Sequence, residues 1–281
     1  MKLVRFTHKG STALGKVVGD MVVDFSAIAP HGSMRQLLAD LPRLRPALES
    51  LAAPAIPLAD VRLEAPIVDP QKFLAIGMNY KEHAKEAEAA GIPIPTSQLW
   101  FNKQVSCIAG PNDPIVYPAV SDKLDYEAEF AVVIGKRCRR VSRADARSVI
   151  AGYMVANDVS ARDWQMRAPT FILGKGFDTH GPIGPWIVTD DEIADPHGLT
   201  LHLTVNGEER QRTSTGDMIY DIYDQIEYLS TVMTLEPGDI LSTGTPSGVG
   251  IATGRLLAIG DVVRTIVDGV GEIENRVIAD G

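Results

Sequence analysis

Short apolar runs broken by turn residues dominate this chain, and they predict strands more often than helices. Apolar positions 17–18 and 21–23 flank Gly19 and Asp20 as the arms of a hairpin do. Residues 199–205 alternate and meet Asn206-Gly207, and Val262–Val267 meets Asp268-Gly269, two strong hairpin turns. Residues 74–77 form another short apolar run, and 131–134 read as core. Helical periodicity is rarer. Residues 33–51 read as a helix interrupted near Pro42 and Pro46. Asn79, with Glu82 three residues on, predicts a capping-box start for a helix that ends at Gly91. Met218, Ile222, Ile226 and Leu229 fall at helical spacing before the closing Glu236-Pro237-Gly238-Asp239. Many short strands with few helices predict an α+β, β-rich fold, a mixed β-sandwich or roll, in preference to a doubly wound sheet. The proline-rich stretch 53–66 reads as a linker, which places a small N-terminal α+β domain at 1–66 and a larger domain at 67–281.

Composition narrows the partners. With 281 residues, 45% of them hydrophobic, the chain buries a substantial core. A net charge of -9 disfavours nucleic acid and anionic membranes. No signal-type apolar run follows Met1, and nowhere do about 18 uninterrupted apolar residues occur, so a soluble, cytoplasmic protein is expected. Cys107 and Cys138 are the only cysteines and show no CxxC spacing, which fits a reducing compartment and argues against a zinc or disulfide framework.

The strongest chemical signal is Glu127 and Glu129, two apart ahead of a core-like run and therefore on one face of a strand. Two like charges a few ångströms apart repel by roughly 4 kcal/mol at an effective dielectric near 20, so a positive group belongs between them. Asp158, after another apolar stretch, completes an all-oxygen set of the kind that Mg2+, Mn2+ or Ca2+ prefers. The plainer reading makes the two glutamates the wet face of an edge strand. His83 and Glu86, at i and i+3 on the expected helix, are neighbours on one face, where a carboxylate orients an imidazole for proton abstraction. The plainer reading is a solvated face, because Lys81, Glu82, Lys85 and Glu88 surround them.

Three further stretches complete the picture: Asp158-Val159-Ser160-Ala161-Arg162-Asp163-Trp164-Gln165, Gly174-Lys175-Gly176-Phe177-Asp178-Thr179-His180-Gly181, and Ser242-Thr243-Gly244-Thr245-Pro246-Ser247-Gly248. No Lys-Ser or Lys-Thr follows the last at P-loop spacing, which removes a nucleotide cradle from consideration. Taken in order with residues 79–83 and 125–129, they closely resemble the fumarylacetoacetate hydrolase family over nearly all of 67–275. Residues 1–66 resemble that family's variable N-terminal domain.

The resemblance implies a divalent metal, usually Mg2+ or Mn2+, held by Glu127, Glu129 and Asp158. It implies that His83 with Glu86 activates water, that Lys175 is catalytic, and that Arg162, Gln165 and Thr245 bind substrate. Met78 and Asn79 supply no carboxylate for the extra acidic ligand of the founding fumarylacetoacetate enzyme, so the chain resembles the shorter acylpyruvase-like branch. The implied reaction is cleavage of the carbon–carbon bond of acylpyruvates or other 2,4-dioxo acids, diketo-deoxy sugar acids included. The alternatives are an oxaloacetate-type decarboxylase, a 2-hydroxymuconate-type isomerase, or a non-catalytic metal-binding protein on the same fold. A homodimer is expected. Lys103 and Asp178 adjoin the matched stretches, as site residues or as a structural ion pair, while Trp100, Trp164 and Trp186 read as core or interface.

Overall fold

A computed structural model describes residues 1–29, 32–52 and 54–281. Its spine is a 12-stranded sheet in which ten strands run, neighbour by neighbour, through Ala55–Pro57, Met21–Asp24, Ser11–Val18, Lys2–His8, Gly181–Thr189, Ile150–Asn157, Ala128–Ile134, Ile240–Ser242, Phe73–Gly77 and Leu99–Lys103, while Arg62–Glu64 pairs with Lys2–His8 and Ile108–Ala109 with Gly181–Thr189 off that path. A five-stranded sheet, Glu208–Ser214, Thr200–Val205, Val262–Val267, Gly271–Ala279 and Ile115–Tyr117, packs against one face. Phe130, Val132 and Ile134 point into that interface with Leu201, Leu203, Val263 and Ile273. The intervening Ala131 and Val133 point to the opposite face, where the helix Met34–Ser50 lays down Leu37, Leu38, Leu41 and Leu48. The β-rich α+β fold and its sandwich character are as expected.

All three expected hairpin turns form, with Gly19, Asn206, Gly207 and Gly269 at positive φ. Four local expectations are corrected. Residues 54–66 are not a loose linker: Ala55–Pro57 pairs with Met21–Asp24, and Arg62–Glu64 pairs with Lys2–His8. Proline is tolerated because Ala55–Pro57 is the outermost strand, where a missing N–H leaves no partner wanting. Pro30, His31 and Ala53 lie outside the described residues.

The helix Met34–Ser50 runs through Pro42 and Pro46 without a break. Each proline removes one intrahelical hydrogen bond, and the buried leucine stripe holds the helix together across them. Asn79 does not cap the helix Lys81–Ala89, whose N-cap position is Tyr80. Instead its side chain donates to Tyr220 O at 3.0 Å and Thr243 O at 2.8 Å and accepts from Tyr220 N at 2.9 Å, clamping three segments. Met218 is therefore outside the helix Ile222–Val232: it bridges to Tyr80 as extended backbone, and the helix starts at Asp221, which accepts from Tyr223 N and Asp224 N. The other predicted end holds, with Gly91 at φ +77 after Ala89.

Candidate active site

Antiparallel pairing of Ala128–Ile134 with Ile150–Asn157 matches Ala128 to Asn157, so the residues just beyond, Glu127 and Asp158, fall opposite each other. Asp158 N donates to Glu127 O at 2.9 Å. Glu129 follows two residues later on the same side, and Glu127, Glu129 and Asp158 each offer a carboxylate oxygen within 4.8 Å of the others, all three buried. Ala128–Ile134 lies between two neighbours in the sheet, which rules out the wet edge strand.

Positive charge does stand among these acids. Lys175 Nζ donates to Glu127 Oε2 and Asp158 Oδ2, both at 2.7 Å, and Lys103 Nζ donates to Asp158 Oδ1 at 2.6 Å. Arg162 reaches Glu127 Oε1 at 2.6 Å and Asp125 Oδ2 at 2.8 Å. Burial opposes ionisation of Glu127, but Lys175 and Arg162 overcome it and hold the carboxyl at about 2. Glu129 differs. Burial, with Asp158 and Glu127 beside it, pushes its carboxyl well above the usual carboxylate range. It forms no salt bridge among the described residues, and one oxygen accepts from Gly244 N at 3.0 Å, a contact made possible by φ +94 at that glycine.

This donor set fits a divalent cation. Around a hard ion at roughly 2.1 Å, ligand oxygens lie about 3 to 4 Å apart, so small side-chain adjustments close the cluster. The acid left without a cation is the one whose neutral form burial favours, and a bound ion reverses that preference.

A cavity of about 440 Å3 opens above the cluster, lined at its polar end by His83, Glu86, Glu127, Arg162, Gln165, Lys175 and Thr245. Of the three acids Glu127 lines the cavity, and Glu129 and Asp158 do not. His83 Nδ1 lies 2.9 Å from Glu86 Oε2, and Glu86 Oε1 accepts from Gly248 N at 3.1 Å. Burial raises the Glu86 carboxyl, yet His83 and the Gly248 amide more than offset this and keep it below the usual range, so it stays ionised. The pair faces the cavity rather than open solvent. Arg162 Nη1 also donates to Gln165 Oε1 at 3.0 Å, while Nη2 is buried with no hydrogen-bond partner.

Several groups here escaped the sequence reading. Gln211, reaching in from Glu208–Ser214, accepts from Ala128 N at 2.9 Å and donates to Thr245 Oγ1 at 3.0 Å and Pro246 O at 2.9 Å, tying the acid-bearing strand to the Thr245 loop. Asp125 accepts from Arg162, Gly250 N and Ile251 N. Neither type nor spacing marks these two as special. Lys103 proves to touch the cluster; Asp178 is not among the cavity-lining groups. Trp186 packs against the core, and Trp164 stacks beneath Arg167 at 3.7 Å.

Fold and site together define a class: a β-rich enzyme that gathers three acids into one cation site beside a deep cavity. The fumarylacetoacetate (FAA) hydrolase C-terminal domain matches residues 72–278, and the chain belongs to the fumarylacetoacetate hydrolase family, whose members include hydrolases and isomerases. A fumarylacetoacetate hydrolase domain-containing protein 2 homolog of Dictyostelium discoideum is 45% identical over 235 residues, 79% of this chain and 76% of that one. Among solved structures, the maleylpyruvate hydrolase of Sphingobium sp. SYK-6 in complex with manganese(II) and pyruvate is 37% identical, with TM-score 0.86 and 100% coverage of both chains. A 5-carboxymethyl-2-hydroxymuconate delta-isomerase of Mycobacterium smegmatis is 38% identical, with TM-score 0.81 and the same coverage.

Proposed function

We propose that this protein is a divalent-metal-dependent hydrolase that splits acylpyruvates and related 2,4-dioxo acids into pyruvate and a carboxylic acid. The observation that carries the reading is the His83–Glu86 pair, held at 2.9 Å on the cavity wall above three gathered carboxylates. In the relative that holds manganese(II), the organic ligand is pyruvate, the product this reaction releases. A Mg2+ or Mn2+ ion held by Glu127, Glu129 and Asp158 supplies Lewis-acid polarisation of the substrate's oxygens when bound.

The chain's own residues do the rest. Glu86 holds the Nδ1–H tautomer of His83, which leaves Nε2 to take a proton from water as its oxygen adds to the C4 carbonyl. Lys175 donates toward the oxygen that becomes negative there. The C3–C4 electron pair departs with the pyruvate fragment as its enolate, and C3 then takes up a proton. Arg162, through the unpaired Nη2, binds the substrate carboxylate, and Gln165 adds its free amide N–H groups because its oxygen already faces Arg162. Thr245, whose oxygen accepts from Gln211, has its own hydroxyl proton left for the substrate.

Pyruvate release from a panel of acylpyruvates, diketo sugar acids and oxaloacetate, with Mn2+ or Mg2+ and again with chelator, tests the proposal. Metal-dependent cleavage of acylpyruvates is expected, and turnover undiminished by chelator contradicts it. His83→Ala is expected to lose about 10²- to 10⁴-fold in kcat, the usual contribution of a positioned base. Unchanged turnover in that variant removes His83 from water activation. The second reading, an isomerase, draws on the similarity to the Mycobacterium smegmatis isomerase; in it His83 would move a proton between substrate carbons instead of taking one from water. Double-bond migration in a 2-hydroxymuconate analogue without pyruvate release selects it. A homodimer and a cytoplasmic setting belong to the same proposal, and sedimentation equilibrium and cell fractionation check them.

A further inference from the structure

Away from its polar end, the cavity changes character. Phe101 lies beneath Lys175 Nζ, 5.1 Å from ring centre to nitrogen, at the boundary; beyond it the lining holds Leu99 and Phe171, and on the rim stand Ile92, Met166 and Ile251, whose exposures are 43%, 74% and 47%. The helix Lys81–Ala89 sets the direction: His83, Glu86, Ala87 and Ala90 share one face and all line the cavity. From His83 to Ala90 that face runs roughly 10 Å at 1.5 Å per residue, beginning at the proposed base and becoming apolar.

Cations do not serve this half. Arg162 and Lys175 are engaged by Asp125, Glu127 and Asp158 at the polar end. Lys123 is the other lysine in the lining, and Asp163, of opposite charge, lines the cavity too, so the two together bring no net charge to it. A second carboxylate on an acyl half that ends inside the cavity would therefore lie against Ala87, Ala90, Leu99 and Phe171 with no net positive charge to meet it, which is costly.

We infer that the acyl half of the substrate is an uncharged, apolar chain long enough to run along the Ala87–Ala90 face to Ile92. This rests on the hydrolase reading of the same site, and it separates this chain from a maleylpyruvate hydrolase, whose substrate carries a carboxylate at its far end. The chain enters between Ile92, Met166 and Ile251, and the C4 carbonyl stops beside His83.

The test is a series of straight-chain acylpyruvates from acetyl to octanoyl, with counterparts ending in a carboxylate, assayed with Mn2+. The expected result is a rise in kcat/KM of about fourfold per methylene until the cavity is filled, the factor that burying one methylene gives. On an acyl chain too short to reach Ile92, a terminal carboxylate is expected to lower kcat/KM about a hundredfold or more. Ile92→Lys is expected to shrink the ratio between the two kinds of substrate. A response flat in chain length, or a preference for the terminal carboxylate, overturns the inference while leaving the hydrolase reading intact. Absence of turnover for every acylpyruvate overturns that reading instead. Thermal shifts with unreactive 2-oxo acids bearing the same tails then decide the apolar half: a Tm gain that grows with chain length supports it, and equal or larger gains with carboxylate tails refute it.

Discussion

Glu129 shows how burial becomes chemistry at the scale of one side chain: a carboxyl without a cationic partner, pressed between two other acids, is stored in the form that a divalent ion must deprotonate. His180 is a second buried titrating group. Burial, first of all, pushes its imidazole down to about 4 from an ordinary 6.5, because its ring lies fully enclosed beside Phe177; donation from Nε2 to Val116 O at 3.0 Å opposes the shift and only partly offsets it. The unfolded chain thus takes up the proton first. The stability His180 supplies is complete above about pH 6.5 and is lost as pH falls toward 4, by about 3 kcal/mol in all. Urea unfolding at pH 7 and pH 4.5 checks this; His180→Gln is expected to lose less on acidification than the parent, and an identical loss contradicts the assignment. Glu127 and Glu129 were legible in sequence because alternation along a strand is a local rule, and Asp158, after a separate apolar stretch, joined them through the family resemblance. Gln211 was not, since its partner Ala128 is 83 positions away and only the folded sheets bring them together.

Elements whose signals are local matched their reading, and those set by distant contacts did not. The hairpins at Asn206 and Asp268 follow from turn chemistry alone. Asn79 looked like a cap, but the backbone of Tyr220 and Thr243 offered it more partners than the helix start did. The start of Ile222–Val232 shifted for the same reason, because bridging by Met218 to Tyr80 keeps that stretch extended until Asp221 and Asp224 form a reciprocal cap. Asp221→Ala removes that cap and the ion pair with Arg143, and is expected to cost about 1 kcal/mol, read as a lower urea midpoint with unchanged slope. No loss of stability would show that packing of Ile222, Ile226 and Leu229 alone sets the helix.

At the scale of the whole molecule, the strand Lys2–His8 hydrogen-bonds to Gly181–Thr189, so one sheet spans both sequence regions. Leu3, Leu14, Phe25 and the leucines of Met34–Ser50 share a core with Ala131, Val133, Met154 and Ile187. The division into 1–66 and 67–281 is accordingly proposed as one of function and not of stability. A protein truncated to 67–281 is expected to expose this surface, bind a hydrophobic dye and aggregate; a monomeric, cooperatively melting fragment would contradict it. Among the described residues no helix is long and apolar enough to cross a membrane. Glu127, Glu129 and Asp158 are proposed to form one cation site that His83, the proposed base, does not help to build. Calorimetric titration with Mn2+ tests it most directly. A single ion per chain is expected, with affinity kept in His83→Ala and reduced about a hundredfold or more in Glu129→Gln. Undiminished Mn2+ affinity in Glu129→Gln, or no binding by the parent protein, would contradict the account.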